Sequence, residues 1–89
     1  MPCREYVVTY WRSDAPGKWL SRTVEGCGPM LAAKKFMRSP EREFVRELPA
    51  FLKTQRIGKP EGAYAVRYYY WDGTMIDPIG FDPPPSCPV

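Results

Sequence analysis

The residue with the most obvious potential for chemistry is Cys27, which lies between two glycines just before a predicted helix. A thiolate at a helix N-terminus is stabilised by the helix dipole and can act as a nucleophile. The chain contains no histidine, however, so the commonest general base and the commonest metal ligand are both missing. The sequence also has no P-loop and no glycine-rich dinucleotide motif. We therefore expect no enzymatic activity and no cofactor.

The acidic residues near the C-terminus do not indicate a metal site. Asp72, Asp77 and Asp82 are five residues apart and are separated by glycine and proline, a spacing that differs from an EF-hand loop. The three cysteines are scattered and none is spaced as CxxC, so neither a zinc site nor a disulfide framework is predicted. Reduced cysteines are typical of the cytoplasm.

An aromatic segment is a stronger candidate for binding. In a strand over Ala63–Trp71, alternation places Arg67, Tyr69 and Trp71 on one face and the other large side chains on the opposite face. A sheet that is covered on one side buries only one face, so several aromatic rings should reach solvent. Tyrosine, tryptophan and arginine dominate protein-binding hot spots. We predict that Arg67, Tyr69 and Trp71 contact a protein partner.

Two other interpretations of this segment stay open. Aromatic rings next to an arginine also stack on the bases of single-stranded nucleic acid. Alternatively, Trp11 and Trp19 pack against Trp71 across the sheet and form a second, purely structural cluster.

Basic residues concentrate in the middle of the chain. Residues 30–60 carry a net charge of +5, whereas residues 1–29 and 61–89 carry +1 and −3. Arg38, Arg42 and Arg46 recur every four residues and would align on one face of a continuous helix. Such a stripe suits an acidic protein surface or a phosphate backbone, or it is a solvated face paired with neighbouring glutamates. The basic residues predicted to bind are Lys34, Lys35, Arg42 and Arg46.

The first half of the chain predicts a hairpin followed by helices. Glu5–Trp11 and Lys18–Val24 are rich in β-branched and aromatic residues and flank turn residues at 13–17. Pro29 begins a helix that continues to Met37. A second helix is predicted from about residue 40, kinked at a proline, because apolar residues recur at helical spacing as far as Leu52.

The second half predicts another hairpin. Ala63–Trp71 is followed by Asp72-Gly73, a strong signal for a two-residue turn that would pair Trp71 with Thr74. The return strand is short because Pro78 cannot donate a hydrogen bond to the ladder.

These elements predict an α+β fold. We expect a four-stranded antiparallel sheet made of two hairpins, with one or two helices on one face, in the order ββα(α)ββ. Residues 1–80 would form a single domain and residues 81–89 a proline-rich extended tail. No apolar run is long enough to span a bilayer and no secretory signal is evident, so we expect a cytoplasmic protein without a membrane partner.

The order hairpin, helix, hairpin in a small basic chain resembles several phage-encoded anti-CRISPR proteins that block type I surveillance complexes. The resemblance is one of architecture, and its segments are Glu5–Trp11, Lys18–Val24, Pro29–Met37, Ala63–Trp71 and Thr74–Asp77. It implies inhibition by stoichiometric binding in the host cytoplasm, along the basic channel or at the subunit that reads the target duplex.

The sequence therefore predicts a small interaction protein that inhibits a host protein or ribonucleoprotein complex. One alternative is a nucleic-acid-binding module that uses the same arginines on phosphates and the same aromatic rings on bases. Another is a small structural subunit whose aromatic residues are buried in an oligomer.

Overall fold

A computed structural model describes residues 4–12, 14–15, 17–38, 48–58, 66–84 and 87. The elements are β1 (Arg4–Trp11), β2 (Trp19–Gly26), α1 (Pro29–Met37), β3 (Ala50–Arg56), β4 (Val66–Trp71) and β5 (Ile76–Gly80). The strands form one antiparallel sheet in the order β2-β1-β3-β4-β5. The predicted α+β class is confirmed, with α1 on one face, but the sheet has five strands and not four.

The additional strand, β3, corrects the prediction of a second helix that reaches Leu52. The proline at position 49 interrupts helical hydrogen bonding directly before the strand begins at Ala50. Ala50, Leu52 and Thr54 are then buried at every second position, which is the period of a strand. The earlier part of the predicted helix, residues 39–47, lies outside the described residues. The described order is therefore ββαβββ.

The connection between β4 and β5 corrects the predicted two-residue turn. Trp71 pairs with Ile76 and not with Thr74, so four residues join the strands. Asp72 explains the longer connection, because its carboxylate accepts hydrogen bonds from the backbone N–H groups of Thr74 and Met75, both at 2.7 Å. An aspartate that bonds the backbone two or three residues ahead forms its own turn. The strand register moves by two residues, which keeps the same side chains on each face.

The core lies between α1 and the sheet. Val8 on β1 and Leu52 on β3 are fully buried together with Phe36 on α1. The helix approaches the sheet closely where Ala32 passes Gly26 at the end of β2. A Cβ atom at Gly26 would lie 3.0 Å from the backbone nitrogen of Ala32, so a glycine is needed at this crossing.

Candidate protein-binding site

A groove lies between the C-terminal end of α1 and the β4–β5 connection. Its volume is about 420 Å³, and its lining residues are Lys34, Met37, Arg38, Trp71, Thr74, Met75 and Ile76. Two of the predicted binding residues, Lys34 and Trp71, therefore meet here from opposite sides. We call this feature the basic groove.

Helix α1 separates its two adjacent lysines. Ala33, Phe36 and Met37 are buried against the sheet, which fixes the rotation of the helix about its axis. Lys34 consequently lines the basic groove, whereas the Nζ of Lys35 donates to a β2 backbone carbonyl 3.1 Å away, on the opposite side of the helix. The two lysines serve different surfaces although they are neighbours in sequence.

Arg38 places a second cation at the basic groove. It is the C-terminal cap of α1, and its backbone N–H donates to the carbonyl oxygens of Lys34 and Lys35 at 3.1 and 3.2 Å. These bonds continue the helical turn as far as Arg38, whose side chain lines the basic groove. A cation at a helix C-terminus also interacts favourably with the negative end of the helix dipole.

The β4–β5 connection supplies the opposite wall. Asp72 accepts hydrogen bonds from two backbone N–H groups, and these bonds hold the pKa of its carboxyl below the ordinary value. Gly73 follows with a φ of +102°, a conformation that favours glycine. The turn directs Met75 to the groove, where its side chain is 63% exposed. Methionine is flexible and polarisable, which suits a contact surface that adapts to its ligand.

None of the described residues that line the basic groove is acidic. Within the described ranges, the only ion pair joins Arg12 to Asp14 in the β1–β2 connection. Lys34 and Arg38 therefore have no anionic partner among the described residues. Two cations beside a partly apolar floor favour a ligand that combines negative charge with an apolar group.

Tyr69 and Arg67, which were also predicted to bind, do not line the basic groove. Tyr69 is 2% exposed and belongs to the core, where burial raises the pKa of its hydroxyl, so it offers no contact surface. The guanidinium of Arg67 lies 4.9 Å from the ring centre of Phe81, a cation–π contact within the chain. Arg42 and Arg46 are outside the described residues.

The face without α1 carries a row of aromatic residues that are cross-strand neighbours. The aromatic row consists of Trp19, Trp11, Phe51 and Tyr70, from β2, β1, β3 and β4. Ring centres are 5.8 Å apart between Trp11 and Phe51 and 5.4 Å apart between Phe51 and Tyr70. Trp11 is 2% exposed, whereas Trp19 at the sheet edge is 57% exposed.

The aromatic row replaces the predicted cluster of three tryptophans. Trp71 is one residue beyond Tyr70 and so lies on the helix side of the sheet, away from Trp11 and Trp19. Trp11 instead stacks on Phe51, a residue that the sequence predicted to lie on a helix.

The C-terminal segment reaches the same face, opposite α1, near Tyr68. Burial raises the pKa of Tyr68, and the nearby Cys87 and Asp82 raise it further. The described residues of this segment therefore contact the sheet at β4.

The sequence pointed to part of the basic groove only. Lys34 and Trp71 were predicted, and Arg38 belonged to the recognised basic stripe. Met37 and Met75 were not among the predicted binding residues. The position of Met75 depends on the turn made by Asp72, and no sequence motif predicts how far α1 lies from that turn.

Comparison with protein-family models, with curated proteins and with solved structures gives no match to this chain. Among the described residues, no group of three or more histidine, cysteine, aspartate or glutamate side chains is placed to hold a metal ion. The described part of the chain also contains no helix of the length and apolarity needed to cross a membrane.

Proposed function

We propose that this chain is a small, non-catalytic interaction protein that inhibits a host complex by stoichiometric binding through the basic groove. The observation that carries the proposal is the meeting of Lys34 and Arg38 with Trp71 and Met75 around one groove of about 420 Å³. Its ligand is a segment of a partner protein that presents an acidic side chain next to a large apolar one.

The lining of the basic groove favours contact over chemistry. Its described residues are two cations, four apolar side chains and one threonine. Such a set provides charge complementarity and an apolar anchor, which together determine protein-binding specificity. General acid–base catalysis, in contrast, relies on a titratable group poised near neutral pH.

A protein ligand is better supported than a nucleic acid. On the face opposite α1, where bases could stack, Asp77 pairs with Tyr70 at the end of the aromatic row, and Lys53 pairs with Tyr68 beside it. The charges next to the rings therefore do not form the purely basic surface that binds a phosphate backbone. Most of the row also packs against itself, with Trp11 buried.

The resemblance to phage anti-CRISPR proteins suggests the class of target. A type I surveillance complex is a cytoplasmic ribonucleoprotein, and a small inhibitor would block it by covering one protein subunit. We propose such a complex as the first target to test.

Affinity capture from nuclease-treated host lysate tests the proposal. Wild-type protein should retain one discrete protein complex at fixed stoichiometry, and Lys34→Glu combined with Arg38→Glu should abolish that capture. The matched control is Lys18→Glu, a charge reversal at an exposed position outside the groove. Loss of the captured material on nuclease treatment would favour the nucleic-acid-binding module instead, and equal capture by both variants would exclude the groove.

The captured complex then allows a functional measurement. Adding wild-type protein to a purified type I complex should reduce target-DNA binding until one equivalent has been added. Continued DNA binding at several equivalents would contradict inhibition of this target.

A further inference from the structure

The two edges of the sheet differ in how well they are protected against pairing with another strand. The β5 edge is five residues long, contains Pro78 and has a register shift opposite Tyr68 and Tyr69. The β2 edge pairs with β1 over all eight of its residues without a shift and contains no proline. Prolines, bulges and short length are three of the devices that block an edge, and β2 has none of these three. Its protection consists of charged side chains instead.

The hydrogen bonds of β1 determine which β2 groups face outward. The carbonyl oxygen of Glu5 accepts from the N–H of Ile57 at 3.0 Å, on the β3 side. In an antiparallel strand the backbone N–H and C=O groups of one residue point to the same side of the strand, and those of the next residue point to the opposite side. Thr23 and the residues two positions away on either side, Ser21 and Glu25, therefore direct their backbone groups away from β1.

Two cations occupy the outward carbonyl groups of this edge. The Nη1 of Arg22 donates to the carbonyl oxygen of Ser21 at 2.8 Å, and the Nζ of Lys35 donates to that of Glu25 at 3.1 Å. Both cations lie on the helix side of the sheet, because Arg22 pairs with the core residue Val8 and Lys35 extends from α1.

We propose that the β2 edge binds an extended segment of a protein partner as an added strand, and that this segment carries carboxylates four residues apart. The N–H groups of the added strand would donate hydrogen bonds to the carbonyl oxygens of Ser21 and Glu25. These two residues are four positions, or about 13 Å, apart along β2. Arg22 and Lys35 would then turn to the carboxylates, which lie on one face when four residues separate them.

A second copy of this chain fits the edge less well. The helix-side positions of β2 are Leu20, Arg22, Val24 and Gly26, without a carboxylate. Antiparallel pairing of two β2 strands would therefore bring cations toward cations, which is unfavourable. The edge requires an acidic partner strand.

This binding site is independent of the basic groove. Lys35 and Lys34 point to opposite sides of α1, so a partner on the β2 edge leaves the groove accessible. The added strand would recognise its ligand through the backbone, as in other cases of strand addition, and select it through charge.

Synthetic peptides test the proposal on the full chain. The first is a nine-residue valine- and threonine-rich peptide with glutamates at positions 3 and 7, and its matched control has the same composition with glutamates at 3 and 6. We expect the first to bind about three- to fivefold more tightly by fluorescence anisotropy, because only it places both carboxylates on one face. Equal affinities would overturn the proposal.

Two further measurements separate strand addition from simple charge attraction. Thr23→Pro removes an outward N–H without breaking the β1–β2 ladder and should abolish peptide binding, whereas Thr23→Val should bind normally. In the wild-type protein, the peptide should slow amide exchange at Ser21, Thr23 and Glu25. Unchanged exchange at these amides would contradict strand addition even if Thr23→Pro failed to fold. Light scattering that shows self-association through β2 would overturn the choice of an acidic partner.

Discussion

The aromatic row and the basic groove are both rich in large apolar side chains, yet the structure uses them differently. In the aromatic row, Trp11 stacks on Phe51 and is almost fully buried. In the basic groove, Trp71 borders an open volume that also holds Lys34 and Arg38. The difference arises because α1 packs on β1, β2 and β3, and the groove lies where its end meets the β4–β5 connection. An unfilled space between elements, and not aromatic content alone, defines the binding surface.

The largest expected effect concerns the stability provided by the aromatic row. Trp11→Ala should lower the free energy of unfolding by about 3–5 kcal/mol, because it empties a buried aromatic site. Trp19→Ala, at its directly paired and exposed neighbour, should change it by about 0.5 kcal/mol or less. Urea denaturation of both variants measures the contrast. Similar losses for the two would mean that the row is not organised around Trp11.

The next effect concerns binding at the basic groove. Trp71→Ala should weaken partner binding by about 2 kcal/mol, as expected for a hot-spot tryptophan. Since Trp71 also packs against the core, Met75→Ala provides a second test at an exposed side chain. Titration calorimetry with the captured complex measures both. A folded Met75→Ala variant with wild-type affinity would place the partner elsewhere.

A smaller effect should distinguish the two adjacent lysines. Lys34→Glu should weaken binding of the groove partner by about 1 kcal/mol or somewhat more at low salt. The loss of binding free energy should shrink as salt screens the charge. Lys35→Glu should instead lower the affinity of the β2 edge for the acidic peptide. Affinities for both ligands, measured for both variants at two salt concentrations, test this exchange of roles. If each variant lost affinity equally for both ligands, the effect would be a general one of net charge and not one of two separate sites.

The smallest effect is a pH dependence of the β4–β5 connection. The folded state lowers the pKa of Asp72, so its contribution to stability is present above the ordinary carboxyl value and is lost as pH falls through the lowered one. Asp72→Asn keeps an oxygen acceptor for the turn but does not titrate, so it should lack this contribution to acid sensitivity. Thermal unfolding midpoints between about pH 7 and pH 2 compare the two proteins. Identical profiles would show that the turn does not depend on the charge of Asp72.

The sequence predicted the elements whose patterns are locally unambiguous. β1 and β2 are rich in β-branched and aromatic residues on either side of a turn, and Pro29 marks the start of α1. Leu20 and Val24, two apolar residues of the predicted second strand, both pack against the core. In these segments local preference and tertiary packing favour the same structure.

The prediction was wrong where local spacing fits two structures. Phe51 and Leu52 continue an apolar helical spacing, but they also begin an alternating strand after the proline. Only pairing with both β1 and β4 decides between them, and that information is non-local. Trp11 acquires its stacking partner through the same strand.

The candidate site could be predicted only in part for a related reason. Lys34 and Trp71 stand out by residue type, but the basic groove exists because the turn at Asp72 moves Met75 to face α1. Tyr69 and Trp71 share one face of β4, and burial by neighbouring elements makes the first a core residue and leaves the second beside an opening.

Photo-crosslinking compares the groove and the row most directly. A photoreactive methionine analogue at position 75 should crosslink one discrete protein in nuclease-treated host lysate, and unlabelled wild-type protein should compete for it. The same analogue at position 19, on the equally exposed end of the aromatic row, should give no such product. Equal labelling from both positions, or labelling of nucleic acid alone before nuclease treatment, would contradict stoichiometric binding of a protein partner in the basic groove.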